Sequence, residues 1–194
     1  MNQKSSFPPR PTTLLHTLLR EVIAVGDVAI DATAGNGHDT VFLAECVGGN
    51  GSVLAFDVQE AAIASASARV SAAGFAERVR FFLESHANLA AHVEPASVAA
   101  VIFNLGYLPG EDHARTTQAD ETVRALGQAK RVLKSGGVLA VVCYPGHEAG
   151  AVEAAAVEVW MTALAGEKWR VAKYAALGTL KPAPFLLIGR KAEG

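Results

Sequence analysis

Short apolar runs alternate along the chain with longer segments in which small and apolar residues recur at helical spacing. The runs have the length of buried strands, and the longer segments have the periodicity of amphipathic helices. The pattern predicts strands near residues 28–32, 52–57, 79–84, 98–104, 137–143, 169–176 and 184–190. It also predicts helices near residues 39–47, 59–73, 86–92, 116–134 and 149–165, preceded by a first helix that Thr12 or Thr13 caps.

This alternation is typical of an α/β fold in which a doubly wound, mostly parallel sheet carries helices on both faces. The last two predicted strands follow each other without a helix, so we expect them to form an antiparallel pair. A chain of 194 residues is long enough for one complete core. We therefore expect a flexible, proline-rich leader over residues 1–11 and a single domain over residues 12–194.

The composition indicates a compact protein, because 51% of the residues are hydrophobic and only 19% are charged. The longest apolar runs, such as residues 138–143, are too short to span a bilayer, and the first residues lack the apolar core of a signal peptide. Cys46 and Cys143 are predicted to be buried and unpaired, which fits a reduced, cytoplasmic setting. No spacing typical of metal ligands occurs, so we expect no metal. Because the apolar runs are short, we also expect no membrane partner.

The net charge of −2 provides no general attraction to nucleic acid. Two local basic clusters leave an RNA-binding face open, and they comprise Lys130, Arg131 and Lys134, and Lys168, Arg170 and Lys173. The first cluster also fits the preference of cations for a helix C-terminus. Charge alone therefore does not decide the partner.

The most informative segment is DATAGNGHDT, residues 31–40, which lies between a predicted buried strand and a predicted helix. Gly35 and Gly37 allow a tight turn and a close approach of the backbone to a ligand, and the helix N-terminus offers unpaired N–H groups. Asp57 ends the next predicted strand, where a carboxylate can accept hydrogen bonds from both ribose hydroxyls. The sequence therefore predicts a site for an adenosine-containing cofactor.

The details of this turn disfavour a dinucleotide. Thr40 stands where a dinucleotide fingerprint has its third glycine, and Asp31 at the strand end would repel a pyrophosphate. The arrangement resembles motif I of the class I methyltransferases that use S-adenosylmethionine (SAM), a cofactor with a cationic ammonium and sulfonium. That resemblance places Asp31 near the methionine ammonium. The full set of predicted cofactor-binding residues is Asp31, Ala32, Thr33, Gly35, Asn36, Gly37, His38, Asp39, Thr40, Asp57, Gln59, Ser85, His86 and Asn104.

A polar loop follows the fourth predicted strand, and it begins with Asn104. The spacing of Asn104 and Tyr107 resembles the Asn-Pro-Pro-Tyr motif of amino-group methyltransferases, in which the Asn accepts hydrogen bonds from the target amine and the aromatic ring stacks on a base. Here Leu105 and Gly106 replace the two prolines. Alternatively, Asn104 caps the strand end and Tyr107 fills a gap in the core.

A reacting amine must lose a proton before it attacks, and a nearby side chain can accept that proton. We expect Asp112 to do so because it is close in sequence to Asn104, although His113, His147 or water would also serve. His113 and His147 are the other predicted contacts with substrate. Each histidine has an alternative role in satisfying hydrogen bonds within its loop.

Taken together, the motifs resemble a narrower family, the small class I enzymes known as putative rRNA methylases, of the YtqB or MnmM type. The matching segments are DATAGNGHDT (31–40), FDVQ (56–59), SHANL (85–89), FNLGYLPG (103–110), YPGH (144–147) and KPAPF (181–185). The resemblance implies a Rossmann-like sheet of seven strands with an antiparallel last strand. It also implies an enzyme that methylates the aminomethyl group of the tRNA wobble uridine. A homodimer would enlarge the surface that such a small domain offers to tRNA.

Four alternatives remain at this stage. A small-molecule methyltransferase or an rRNA methyltransferase would have the same fold and cofactor. An NAD-dependent oxidoreductase would need a dinucleotide cradle, against which Asp31 and Thr40 argue. A module that binds SAM without catalysis would share the cradle and transfer no methyl group.

Overall fold

One seven-stranded sheet forms the centre of the fold in the computed structural model, which describes residues 8–106 and 119–193. Its strands are β1 (Val28–Asp31), β2 (Ser52–Asp57), β3 (Val79–Leu83), β4 (Val98–Leu105), β5 (Leu133–Cys143), β6 (Trp169–Ala175) and β7 (Phe185–Lys191). The spatial order is β3-β2-β1-β4-β5-β7-β6. Strands β1 to β5 pair in parallel, whereas β7 runs antiparallel to both β5 and β6. The predicted sheet with its antiparallel last strand is confirmed.

Helices cover both faces of this sheet. They are α1 (Pro11–Arg20), α2 (His38–Val47), α3 (Glu60–Ala72), α4 (Ala119–Val132) and α5 (Glu148–Ala163). Side chains alternate across each strand, so Ala100 and Ile102 of β4 pack in the core beneath α1, α2 and α3. Val101 and Phe103 face the opposite core, which α4 and α5 close. Within the described ranges, no helix combines the length and the apolar character needed to cross a membrane.

The first helix starts differently from the sequence prediction. It begins at Pro11 with Arg10 as its cap, and no side chain caps it, so the expected cap at Thr12 or Thr13 is wrong. Proline suits the first helical position because its φ is already helical and its missing N–H would have no partner there.

One helix type and one boundary also differ from the sequence prediction. Residues His86–Ala91 form a 3-10 helix instead of an α-helix, after Ser85 caps the segment by accepting the N–H of Ala87. Strand β5 begins at Leu133, where the sequence predicts the end of a helix, and it extends through Gly136 and Gly137. Leu133 pairs with Val98 of β4, so tertiary pairing overrides the helical pattern there.

Both cysteines are free, but their burial differs. Cys143 is buried in β5, and burial raises the pKa of its thiol to about 12. Cys46 lies near the end of α2 and is only partly buried, so the expectation of full burial is wrong for this residue. The neighbouring Val47 takes the fully buried position on this turn of the helix.

The parallel strands β1, β2, β4 and β5 all end at the same edge of the sheet. In α/β sheets of this kind, ligands bind beyond the carboxyl ends of the strands. Asp31, Asp57 and Asn104 stand at or near three of these ends, and Tyr144 directly follows the fourth. The fold therefore brings these residues to one edge of the sheet.

Candidate active site

A cavity of about 620 Å³ lies at this edge of the sheet, a volume typical of small-molecule and cofactor sites. Its described lining residues are Ala32, Thr33, Ala34, Gly35, Asn36, His38, Asp39, Asp57, Val58, Gln59, Glu84, Ser85, His86, Asn104, Gly106, Glu121, Tyr144, Gly146, His147, Pro182 and Pro184. The lining thus contains most of the cofactor-binding residues that the sequence predicts. Their binding roles remain predictions, which the experiments proposed below test.

The glycine turn between β1 and α2 has the backbone geometry that the sequence predicts. Gly35 and Gly37 have φ values of +49° and +78°, in the left-handed region that favours glycine. A Cβ atom on Gly37 would lie 2.7 Å from the Cα of Ala66 in α3. Gly37 therefore allows both the turn and the close packing of α2 against α3.

Asp57 connects this turn to the end of β2. Its Oδ2 accepts a hydrogen bond from the N–H of Gly35 at 2.9 Å, and its Oδ1 accepts one from the N–H of Gln59 at 3.0 Å. A carboxylate has about four lone-pair positions, so Asp57 retains acceptor capacity towards the cavity that it lines. This geometry suits the predicted binding of ribose hydroxyls.

Asp31 lies beneath the turn and is fully buried. It accepts hydrogen bonds from the hydroxyl of Thr40 at 2.6 Å and from the N–H of Thr33 at 3.1 Å. Burial raises the pKa of Asp31 to about 7, and the nearby charge of Asp39 adds to this effect. Asp31, Gly37 and Thr40 are not among the described lining residues, so the structure places these three predicted cofactor residues behind the cavity wall.

Two buried acceptors at the cavity have no hydrogen-bond donor among the described residues. They are Nε2 of His86 and Oε1 of Gln59. Nδ1 of His86 lies 3.0 Å from the carbonyl of Ala32 and must carry the ring proton, because a carbonyl only accepts. Burial lowers the pKa of His86, so the ring is neutral and Nε2 accepts. Both residues line the cavity, so an adenosine group bound there would lie against them.

The side chain of Asn104 is held at the end of β4. Its Nδ2 donates to Oδ2 of Asp39 at 3.0 Å, and its backbone N–H donates to the hydroxyl of Thr33 at 2.7 Å. Tyr144 forms a hydrogen bond with the Asn104 side chain. Burial, and after it the charge of Asp39, raise the pKa of the Tyr144 phenol above its ordinary value, and this effect is larger than the lowering of the pKa by the hydrogen bond. Asn104 thus lines the cavity in a defined orientation.

The remaining predicted substrate residues divide into two groups. Tyr107, Asp112 and His113 lie outside the described residues. His147 lines the cavity, and its Nδ1 accepts the N–H of Gly150 at 3.0 Å as the cap of α5. This cap is the alternative role that the sequence left open for His147, and it coexists with a position at the cavity.

Sequence reasoning assigned no role to several lining residues, among them Tyr144, Glu121 and Glu84. Tyr144 directly follows β5, so the rule that ligands bind beyond strand ends would have identified it. Glu121 belongs to α4 and accepts a hydrogen bond from the hydroxyl of Ser85. No local pattern signals Glu121, because its place at the cavity depends on how α4 packs.

The described lining is acidic. Its carboxylates are Asp39, Asp57, Glu84 and Glu121, and no lysine or arginine occurs among the described lining residues. Neighbouring carboxylates favour cationic ligands and disfavour a pyrophosphate. This charge distribution suits an ammonium or sulfonium group better than a dinucleotide.

Comparisons with known proteins identify methyltransferases as relatives of this chain. A family model described as "Putative rRNA methylase" matches residues 53–190. The tRNA (mnm(5)s(2)U34)-methyltransferase, chloroplastic, of Arabidopsis thaliana is 38% identical over 194 residues, covering 95% of this chain and 70% of that protein. The crystal structure of a putative rRNA-methylase from Clostridium thermocellum is 34% identical, with a TM-score of 0.90 and coverage of 94% of this chain and 97% of that one. A putative methyltransferase from Streptococcus mutans, solved in complex with SAH, is also 34% identical, with a TM-score of 0.83 and coverage of 94% and 98%.

The sheet order, the acidic cavity and these relatives define a class I SAM-dependent methyltransferase. Within that class, the chain belongs to the rRNA methylase family. Its cofactor is SAM, which leaves as S-adenosylhomocysteine (SAH) after the transfer. The dinucleotide-dependent oxidoreductase that the sequence left open is thereby set aside.

Proposed function

We propose that this enzyme methylates an amino group on RNA, and specifically the aminomethyl group of the wobble uridine of tRNA. The Arabidopsis relative, which is named as a tRNA (mnm(5)s(2)U34)-methyltransferase, supports tRNA as the acceptor. The observation on which the proposal chiefly rests is the orientation of Asn104 in the cavity.

Asn104 is suited to hold an amine because its carbonyl oxygen is an acceptor. Asp39 takes one N–H of the amide, which turns the NH₂ group towards Asp39 and leaves Oδ1 on the other side of the side chain. An amine that donates one N–H to Oδ1 has its lone pair directed elsewhere, towards the methyl group. Asn104 would therefore orient the nucleophile.

Bound SAM supplies an electrophilic methyl group on a sulfonium. The protein contributes mainly by positioning, because holding two reactants in line lowers the entropic part of the barrier, by up to about 7–11 kcal/mol in favourable cases. In this proposal the glycine turn and Asp57 hold the cofactor, His86 and Gln59 contact its adenosine group, and Asn104 holds the amine.

The amine must be neutral when it attacks, since a protonated amine has no lone pair. The carboxylates that line the cavity attract the amine as a cation, and a proton acceptor must then take the proton. Asp112 remains the proposed acceptor, with His113, His147 or water as alternatives.

The test is transfer of labelled methyl from SAM to bulk tRNA that lacks the methylated wobble base. We expect label in the tRNA, located on a wobble nucleoside after digestion, and a large loss of transfer with Asp57→Ala. If no label enters tRNA although the protein binds SAH tightly, tRNA is not the acceptor.

A small-molecule amine is the second candidate acceptor. The acidic described lining favours it, because a free cationic amine needs no basic surface for a phosphate backbone. A panel of primary amines, assayed beside tRNA and rRNA under the same conditions, separates the candidates. Efficient methylation of a free amine without transfer to RNA would replace the RNA proposal.

A further inference from the structure

We propose that His16 on α1 is a positioning residue for methyl transfer, which orients Asn104 through the carboxylate of Asp39. This inference rests on the proposed function for its catalytic consequence. Its structural part, that His16 fixes the Asn104 amide, is tested independently of the acceptor.

A continuous chain of hydrogen bonds connects the three residues. Nε2 of His16 lies 2.6 Å from Oδ1 of Asp39, and Oδ2 of the same carboxylate lies 3.0 Å from Nδ2 of Asn104. Each carboxylate oxygen thus serves one neighbour. Because a carboxylate only accepts, Nε2 of His16 donates, and the amide of Asn104 must present its NH₂ group to Asp39.

Packing fixes the His16 end of this chain. The imidazole stacks on the ring of Phe42 in α2, with a centroid distance of 3.8 Å and an interplanar angle of 2°. Phe42 and Asp39 are both buried, whereas the side chain of His16 is 29% exposed. The geometry is therefore set by the contact between α1 and α2, and not by a flexible surface pair.

His16 is absent from the described residues that line the cavity, although Asp39 and Asn104 are both present. It would thus act on the reaction through Asp39. The donor from His16 holds one oxygen of Asp39 and leaves the other aimed at Asn104. Without that donor the carboxylate can rotate, and the hydrogen bond with Tyr144 alone does not fix which end of the Asn104 amide faces the substrate, because a phenol both donates and accepts. An amide that turns its N–H groups towards the substrate amine would set two donors against each other.

Two matched variants separate the hydrogen bond from the packing. His16→Phe keeps an aromatic ring on Phe42 and removes the donor, whereas His16→Gln keeps an N–H donor and loses the ring. Glu45→Gln is the control, because it removes the charge from the exposed Arg20–Glu45 pair between α1 and α2, and this pair does not include Asp39. If His16→Phe does not fold, His16→Asn, which is too short to reach Asp39, replaces it.

In methyl transfer to tRNA, we expect His16→Phe to lower kcat about tenfold or more, as loss of a positioning contact does, with the KM for SAM within about twofold. His16→Gln retains most of the wild-type kcat, and Glu45→Gln has the same kcat as the wild type. Equal losses in His16→Phe and His16→Gln, or a loss in KM for SAM alone, would overturn the positioning role.

The second measurement does not need the acceptor. In ¹⁵N NMR spectra of the SAH-bound protein, with the Asn104 amide assigned through Asn104→Asp, we expect His16→Phe to shift or broaden the side-chain NH₂ signals. His16→Gln and Glu45→Gln leave them near their wild-type positions. Unchanged signals in His16→Phe contradict the inference even if tRNA is the acceptor. Shifted signals in a protein that does not methylate tRNA support it while the proposed function fails.

Discussion

The carboxylate of Asp57 accepts the backbone N–H of Gly35 at 2.9 Å, although the two residues are 22 positions apart. This hydrogen bond fastens the glycine turn of the cofactor site to the end of β2. The second oxygen of Asp57 binds the N–H of Gln59, so one side chain organises both segments on this side of the cavity. Asp57 is therefore both a predicted cofactor ligand and a support for the turn.

Asp57→Ala should weaken SAH binding about ten- to a hundredfold, because charge-assisted hydrogen bonds contribute roughly 1.5–3 kcal/mol each. Isothermal titration calorimetry with SAH measures the change. Asp57→Asn is the matched variant: it keeps an acceptor but removes the charge, and should have an intermediate affinity. Wild-type affinity in Asp57→Ala would remove Asp57 from the cofactor site.

Asn104→Ala should reduce turnover about a hundredfold or more while SAH affinity stays within about threefold, since the lost group positions the acceptor. Steady-state methyl transfer and SAH titration give the two values. Asn50→Ala, in the exposed loop between α2 and β2, controls for the loss of an Asn side chain. If both parameters remain near wild type, Asn104 is only the end of a strand.

Asp31 predicts how the stability of the cofactor-free protein depends on pH. Its folded pKa of about 7 lies above the ordinary value of 3.8, so the folded state binds more protons between these values. The contribution of Asp31 to the free energy of unfolding is therefore fully present below pH 3.8 and is lost as pH rises through about 7. Urea denaturation across pH 4–8 should show this decline, and Asp31→Asn should flatten it. An equal slope in the two proteins would contradict the assignment.

Gly37→Ala should destabilise the protein by about 1–3 kcal/mol, because the added methyl meets the backbone of α3 and the residue must keep a positive φ. Gly26→Ala is the matched control, since Gly26 has a φ of +94° and an added Cβ would meet nothing within 4 Å. The difference in the free energy of unfolding between the two variants isolates the clash with α3. SAH affinity should fall in Gly37→Ala alone.

The strands and the cofactor turn were predictable because their signals are local. Apolar runs identify β1, β2 and β4, and the turn with Gly35 and Gly37 lies within ten consecutive residues. The predicted boundary between α4 and β5 was wrong for a physical reason: Leu133 pairs with β4 although its own sequence context is helical. Pairing across the sheet decides such positions, and one sequence does not contain that information locally.

The polar connections within the site were not predictable in the same way. Asp39 and Asn104 are 65 positions apart, and His16 and Asp39 are 23 positions apart. Their contacts depend on how α1 and α2 lie on the sheet. The sequence therefore predicts which residues belong at this edge of the sheet, whereas the hydrogen bonds among them follow from the packing of the helices.

The position of β7 between β5 and β6 has a consequence for synthesis of the chain. Among the described strands, β6 pairs with β7, which is made later, and Pro182 and Pro184 just before β7 form part of the cavity wall. A nascent chain that has reached only Ala175 thus has an unpaired sixth strand and an open cavity. Among the described lining residues, Pro182 and Pro184 are therefore the last to be synthesised, and the cavity wall is completed together with the sheet.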